Sequence, residues 1–206
     1  MKKIMFNEQY GLQQSVLDRI KSMTRRVDKR LNHPLVTEIF DWNIDDFGKY
    51  YVTITYSTGL TEDVYPQYQI GEEVAVAQCY EDAILDVGEE EWNKRHKWYC
   101  IENLRKRAGL HNKMFVQADL MPHSIRFTAT KLERLQDISD EDCLREGVVK
   151  WMDGYIVTGI LERGQKRNVC FDTPREAYAA LIDRISGKGT WDSNPWVFAY
   201  TFELVH

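Results

Sequence analysis

A cluster of cations and hydroxyl groups lies near the start of the chain, where residues 20–27 read IKSMTRRV. It contains Lys21, Thr24, Arg25 and Arg26. Ammonium, guanidinium and hydroxyl groups gathered at one point can bind an electron-rich ligand such as a carbonyl or a phosphate. The same residues can also form a solvated helix terminus, because cations are favourable near a helix C-terminus.

The element expected to carry this cluster is an amphipathic helix. Four apolar residues recur at helical spacing: Leu12, Val16, Ile20 and Met23. On such a helix Lys21 and Thr24 are three residues apart and share one face. We therefore expect both to point inward, Arg25 to point to solvent, and Arg26 to point into a cleft at the helix end.

Two further candidate site residues lie in the second half of the chain. Glu146 precedes Gly147, which is expected to end a short helix that begins after Ser139. Arg126 lies in a strand pattern over residues 124–135, on the opposite face from Phe127. A carboxylate fixed at a helix end and a cation on a strand are both suited to line the same cleft.

The chain as a whole is typical of one globular domain, assigned to residues 1–206. It has 206 residues, is 43% hydrophobic and carries a net charge of −5, which argues against general gripping of duplex phosphates. Strands mixed with a few helices, without βαβ alternation, predict an α+β fold built on a small mixed β-barrel with flanking helices. Residues 155–162 and 167–171 predict a hairpin.

Two helical segments interrupt the strand pattern. Residues 81–113 predict a helical insertion with Trp98, Ile101 and Leu104 facing inward and a basic outer face, which is either solvated or a nucleic-acid contact. Later in the chain three residues have the types of a helix start, as N-cap, first and third positions: Thr173, Pro174 and Glu176.

The sequence contains no clear pattern for a metal site, a cofactor site or a membrane segment. The four cysteines are widely spaced without a CxxC pair, as expected for free thiols in a reducing cytoplasm. His96 and Cys100 are four apart, but two ligands do not make a zinc site. There is no phosphate-binding loop, dinucleotide fingerprint, signal-peptide pattern or run long enough for a membrane span. We expect no metal, no cofactor and a cytoplasmic protein.

Three pieces of the sequence resemble one family. VLDRIKSMTRR near the start, SIRFTATKLERLQDISDEDCLREGV in the second half and the closing NPWVFAYTFEL are similar, in this order, to ASCH domains. These are small β-barrels of the PUA-like superfold, and the longer variety with a helical insertion is found in phage and prophage genes. In the family's G-x-K-x-x-T-x-R stretch, Lys21, Thr24 and Arg26 match, whereas Arg19 occupies the position of the glycine.

The resemblance implies two functions. Some family members bind RNA or modified bases, which implies a ligand cleft lined by Lys21, Thr24, Arg26 and Arg126. Small members that deacetylate N4-acetylcytidine use a lysine, a threonine and a glutamate, which match Lys21, Thr24 and Glu146. Stacking surfaces for a base are offered by two tryptophans near the closing strand: Trp191 and Trp196.

The physical chemistry of these residues leaves three interpretations open. A lysine base needs its pKa brought from about 10.4 to about 7, which costs about 4.6 kcal/mol, and partial burial beside Arg25 and Arg26 acts in that direction. Lys21 would then activate Thr24 or water, and Glu146 would pass the proton to the leaving amine. The cleft can equally bind without chemistry, or Lys21 and Glu146 can be a structural ion pair.

Overall fold

The computed structural model describes residues 1–162 and 166–205 and shows a mixed α+β protein, which confirms the predicted class. The strands in this part of the chain are β1 (Lys3–Ile4), β2 (Met23–Val27), β3 (Val36–Ile44), β4 (Tyr50–Tyr56), β5 (Thr61–Val64), β6 (Glu73–Val76), β7 (Ser124–Arg134), β8 (Val149–Trp151), β9 (Gly154–Ile156) and β10 (Trp196–Leu204). The α-helices are α1 (Leu12–Leu17), α2 (Tyr80–Val87), α3 (Glu89–Arg95), α4 (Ile101–Leu104), α5 (Asp140–Arg145), α6 (Pro174–Ser186) and α7 (Thr190–Ser193).

The main sheet has five strands in the order β1-β6-β7-β10-β2. The β1–β6 pair is parallel, and the three other pairs of this sheet in the described residues are antiparallel. β7 and β10 form its centre and pair from Trp196 opposite Arg134 to Leu204 opposite Ile125. The continuous apolar run of β10 is explained by burial on both faces, since Val197 to Tyr200 are all buried.

The main sheet is open, in contrast to the closed barrel that the sequence predicted. β1 and β2 are its two edges, and within the described residues no ladder joins them. β1 has only two residues, too few to present a pairing edge along the five-residue β2. A side chain bridges the two edges instead, because Arg26 Nη2 donates to the carbonyl oxygen of Met5 at 3.2 Å.

Further layers cover the core of the main sheet. β3, β4 and β5 form a three-stranded sheet whose Val52, Ile54 and Val64 are fully buried in the core. α6 starts as predicted, with the side chains of Thr173 and Glu176 capping each other's backbone N–H groups and with proline at the first position. Antiparallel bridges join Tyr155 to Phe171 and Leu161 to Asn168, as the predicted hairpin requires; residues 163–165, between its two predicted strands, lie outside the described residues.

The segment predicted as a helical insertion contains α2, α3, α4 and short 3₁₀ turns. It has its own apolar cluster, in which Trp92 and Leu104 are fully buried and Ile101 is partly buried. The prediction for Trp98 was wrong, because its side chain is 86% exposed. The helix breaks at His96 and continues as a 3₁₀ turn, so the helical spacing counted through Trp98 does not hold.

Candidate functional site

Lys21 and Thr24 reach the site from a turn and a strand, so the prediction of one continuous helix was wrong. α1 ends at Leu17, and Arg19 takes a left-handed conformation with φ of +61°. The N–H groups of Ile20 and Lys21 then donate to the carbonyl of Ser15 at 2.9 and 2.8 Å, which closes the helix end. Lys21 lies in this turn, and Thr24 lies on β2 opposite Tyr200 of β10.

The left-handed conformation of Arg19 explains why a glycine suits this position. A side chain other than glycine costs about 1–2 kcal/mol in this region of backbone space. Arg19 compensates in part, because its Nη1 donates to the carbonyl of Leu204 at 3.0 Å. The chain therefore makes the same turn as a glycine would allow, with an arginine anchored to the end of β10.

Glu146 approaches Lys21 from the end of α5, as the sequence predicted for the helix that ends at Gly147. The hydroxyl of Ser139 caps α5, and Gly147 has a φ of +107°. A Cβ atom at Gly147 would lie 2.8 Å from a methyl group of Leu12, so this position also needs glycine for close packing against α1. Glu146 is held at the point where α5 meets the turn after α1.

A cleft of about 600 Å³ opens where the main sheet fails to close, between the β1 edge, β2 and α6. Lys21, Thr24, Arg26 and Glu146 all contribute to its walls. Its lining residues are Met5, Phe6, Asn7, Leu12, Lys21, Thr24, Arg25, Arg26, Val27, Gln67, Lys113, Met114, Glu146, Tyr178, Leu181, Ile182, Ile185 and Ser186. Four of the five candidate residues are therefore brought to one place.

Lys21 and Glu146 form a buried ion pair at the base of this cleft. The Lys21 ammonium lies 2.7 Å from Glu146 Oε2 and donates a second hydrogen bond to the Glu146 carbonyl at 2.8 Å. The two residues are only 3% and 4% exposed. Lys21 Nζ also lies 5.8 Å from the centre of the Phe6 ring. This geometry is compatible with both the site interpretations and the structural ion pair.

Arg25 is buried, so its predicted exposure to solvent was wrong. Its side chain is 0% exposed and lies 3.1 Å from Glu146, 2.8 Å from Asp142 and 2.7 Å from Glu133. Lys131 completes the cluster by contacting Glu133 and Asp142, both at 2.9 Å. The carboxylates come from β7 and α5, more than 100 residues away along the chain, which the local pattern around Arg25 does not reveal.

The charges around the pair set the pKa directions of both groups. Burial is the largest effect on Lys21, and together with the guanidinium groups of Arg26 and Arg25 it outweighs the attraction of Glu146, so the pKa of Lys21 is lowered. Burial alone would raise the pKa of Glu146, but the cations Lys21 and Arg25 outweigh it and lower that pKa. Glu146 is thus a stable carboxylate, and Lys21 loses its proton more readily than an exposed lysine.

Arg26 and Thr24 are the cleft residues best placed to meet a ligand. They are two apart on β2 and point to the same side. Arg26 donates to Met5 through Nη2, while its Nε is buried and has no hydrogen-bond partner among the residues that the structure describes. A buried donor without a partner is costly, and the remaining N–H groups of the guanidinium can donate to a carbonyl or phosphate oxygen in the cleft.

Arg126, Trp191 and Trp196 do not line this cleft. Arg126 is opposite Glu203 of β10 and Glu73 of β6, whereas Thr24 pairs along the other edge of β10 with Tyr200, three residues before Glu203. Arg126 lies 3.4 Å from Glu73 and 3.5 Å from Glu203. The ring of Trp196 packs under Arg134 and that of Trp191 under Arg175.

The sequence interpretation missed several cleft residues. Tyr178 is fully buried among apolar residues of α6, and burial raises the pKa of its phenol well above the ordinary value. The sequence signal that could have identified Tyr178 is a phenol hydroxyl among the apolar residues on one face of the predicted helix α6. Lys113 donates to the Phe6 carbonyl at 2.5 Å and to Gln13 Oε1 at 3.1 Å, and no sequence pattern links these residues.

Within residues 1–162 and 166–205 no group of three or more histidine, cysteine, aspartate or glutamate side chains is arranged to hold a metal ion. No helix in the described part of the chain has the length and apolar character of a membrane span. No family model, curated protein or solved structure matches the chain.

Proposed function

We propose that the cleft between β1 and β2 binds a nucleotide or modified nucleoside, either free or as part of an RNA. The observation that carries the proposal is the convergence of Lys21, Thr24, Arg26 and Glu146 on one cleft from a turn, a strand and a helix end. The same convergence supports an ASCH-type relationship. In this proposal the main sheet corresponds to a PUA-like barrel that is not closed between β1 and β2. The cysteine usage supports a cytoplasmic setting.

The two walls of the cleft differ in the way that a nucleotide requires. One wall is apolar, with Leu181, Ile182 and Ile185 from α6, and is suited to the face of a base. The other carries Thr24 and Arg26, whose hydroxyl and guanidinium groups can donate to a carbonyl or phosphate oxygen. A volume of about 600 Å³ lies within the usual range of small-molecule sites.

Calorimetric titration with cytidine, cytidine monophosphate and N4-acetylcytidine tests this proposal. We expect at least one to bind, and Arg26→Met to weaken binding by roughly tenfold or more through loss of a charge-assisted hydrogen bond. Thr24→Val is a nearly isosteric second variant and should also weaken binding. Arg126→Gln removes a cation outside the cleft and should leave binding unchanged. Equal loss in Arg126→Gln, or no binding of any of the three by the wild type, would contradict the proposal.

A second candidate function is amide hydrolysis of an acylated pyrimidine nucleoside. It is favoured by the lowered pKa of Lys21 and its 2.7 Å contact with Glu146, beside Thr24. Neutral Lys21 would take a proton as water, positioned by Thr24, attacks the acyl carbon. The carbon–nitrogen bond then breaks, and the proton passes through Glu146 to the leaving amine, giving a carboxylic acid and the free nucleoside.

Release of acetate and cytidine from N4-acetylcytidine distinguishes catalysis from binding. Turnover should be lost in Lys21→Met and in Glu146→Gln, and the Arg126→Gln control should retain it. Saturable binding of the acetylated nucleoside without any product would leave the cleft a binding site and exclude hydrolysis of this substrate.

A further inference from the structure

The charge of this protein is distributed unevenly, with cations concentrated in one segment of the helical insertion. Residues 94–107 contain six lysines and arginines and one glutamate, a net charge of +5 in a chain whose net charge is −5. This segment lies outside the cleft described above. Such a local concentration of positive charge on an acidic protein attracts polyanions to one place on the surface.

A solvent-exposed tryptophan lies within this basic segment. The Trp98 side chain is 86% exposed, and within the described part of the chain its indole makes no ring or cation–π contact. The insertion is anchored by Trp92 instead, which is fully buried and donates through Nε1 to the carbonyl of Tyr99 at 2.9 Å. Packing in the core therefore does not explain why a large aromatic residue occupies position 98.

Several cations of this segment have no acidic partner among the described residues. Lys97, Arg105 and Lys106 are exposed, and within residues 1–162 and 166–205 none of them lies within 4.0 Å of a carboxylate. Arg107 stacks on the ring of Tyr99 at 4.8 Å. This contact brings the cations at 105–107 next to the segment that contains Lys97 and Trp98. We name the surface formed by Lys97, Trp98, Arg105, Lys106 and Arg107 the insertion patch.

The shape of the insertion patch suits a flexible chain. A shallow groove of about 320 Å³ runs along residues 94–99 beside Trp98. An exposed indole flanked by unpaired cations combines the two features by which proteins hold single-stranded nucleic acid, a stacking face for a base and charges for the backbone. A duplex hides its base faces, so the indole would contribute little to duplex binding.

We propose that the insertion patch binds single-stranded nucleic acid, with Trp98 stacked on a base and Lys97, Arg105 and Lys106 at backbone phosphates. This is a second surface, separate from the cleft, and it goes beyond the proposed function. The insertion ends at Lys113 and Met114, which form part of the cleft rim.

Fluorescence anisotropy with a labelled oligouridine of about twelve nucleotides tests the proposal. We expect Trp98→Ala to weaken binding by about tenfold, and the double variant Lys97→Glu/Lys106→Glu to weaken it further and to flatten its salt dependence by about 0.7 per lost phosphate contact. Controls are Trp151→Ala, another exposed tryptophan, and the double variant Lys150→Glu/Lys188→Glu. Both controls should bind like the wild type.

Additional arms separate the possible partners. Oligothymidine distinguishes DNA from RNA, and Thr24→Val should still bind oligouridine through the insertion patch even if it no longer binds a nucleoside in the cleft. The proposal is overturned if the wild type does not bind either oligomer, if the Trp151→Ala control loses as much affinity as Trp98→Ala, or if the protein binds vesicles of anionic phospholipid but no oligonucleotide.

Discussion

Replacing Lys21 by methionine should destabilise the protein much less than replacing Arg25 by methionine. Both cations are buried and both contact Glu146, so a simple count of ion pairs would treat them alike. Their surroundings differ. Within the described residues Arg25 contacts three carboxylates and Lys21 contacts one, Glu146, which keeps its contact to Arg25 when Lys21 is removed.

The expected magnitudes follow from what each substitution leaves behind. Lys21→Met leaves Glu146 paired with Arg25 at 3.1 Å, so the loss is that of charge-assisted hydrogen bonds, about 1–2 kcal/mol. Arg25→Met leaves Glu133, Asp142 and Glu146 with Lys21, Lys131 and the more distant Arg145, which lies 3.6 Å from Asp142, and breaking a buried pair in this way costs about 3–5 kcal/mol.

Thermal unfolding followed by circular dichroism near neutral pH separates the two. For a chain of this length each kcal/mol lowers Tm by roughly 2–4 °C, so we expect a loss of about 2–8 °C for Lys21→Met and about 6–20 °C for Arg25→Met. A loss in Lys21→Met as large as that in Arg25→Met would show that the Lys21–Glu146 pair is a structural ion pair, and would refute the reasoning that assigns Lys21 to the site.

Three further predictions concern the turn, the acid response and the thiols. Arg19→Gly should leave Tm unchanged or raise it, because relief of the left-handed strain offsets the lost bond to Leu204, whereas Arg19→Val should lower it. The folded-state pKa of Glu146 is lowered, so its stabilisation is present above about pH 4.3 and is lost as the pH falls through the folded-state value; Glu146→Gln should flatten this acid limb in urea titrations. Cys170, which is exposed, should react with a thiol reagent in the native state, whereas Cys143 should not, because burial raises its pKa to about 12.

Each of these has a contradicting result. A lower Tm in Arg19→Gly would mean that the arginine contact contributes more than the strain costs. An unchanged acid limb in Glu146→Gln would mean that other carboxylates control acid unfolding. Rapid modification of Cys143 in the native protein would mean that the core around α5 opens readily.

The elements with strong local signals were predictable from the sequence. The start of α6 followed from Thr173, Pro174 and Glu176, because a capping box and a first-turn proline are local chemistry. The end of α5 followed from Gly147, which occupies a left-handed position. Lys21, Thr24 and Glu146 were chosen from residue types and a family resemblance, and the fold brings them to one cleft.

The rest depends on contacts between distant parts of the chain. The apolar stripe through Ile20 and Met23 fits a helix, but pairing of β2 with β10 makes Met23 buried in a strand and leaves Ile20 exposed. Arg25 looked solvent-exposed because its three carboxylate partners lie far away in sequence. Arg126 shares a sheet with Thr24, but the strand register that separates them cannot be counted from either local pattern.

The most direct test of the central proposal is an amide chemical-shift map of the ¹⁵N-labelled protein during titration with cytidine monophosphate. A ligand in the cleft should shift the amides of residues 21–27, of Phe6 and Asn7, and of the α6 segment around Ile182 and Ile185, which line the cleft together. The same titration of Thr24→Val should give smaller shifts at equal ligand concentration. Shifts confined to surfaces away from these residues, or no shifts at all, would contradict the proposal that this cleft is the ligand site.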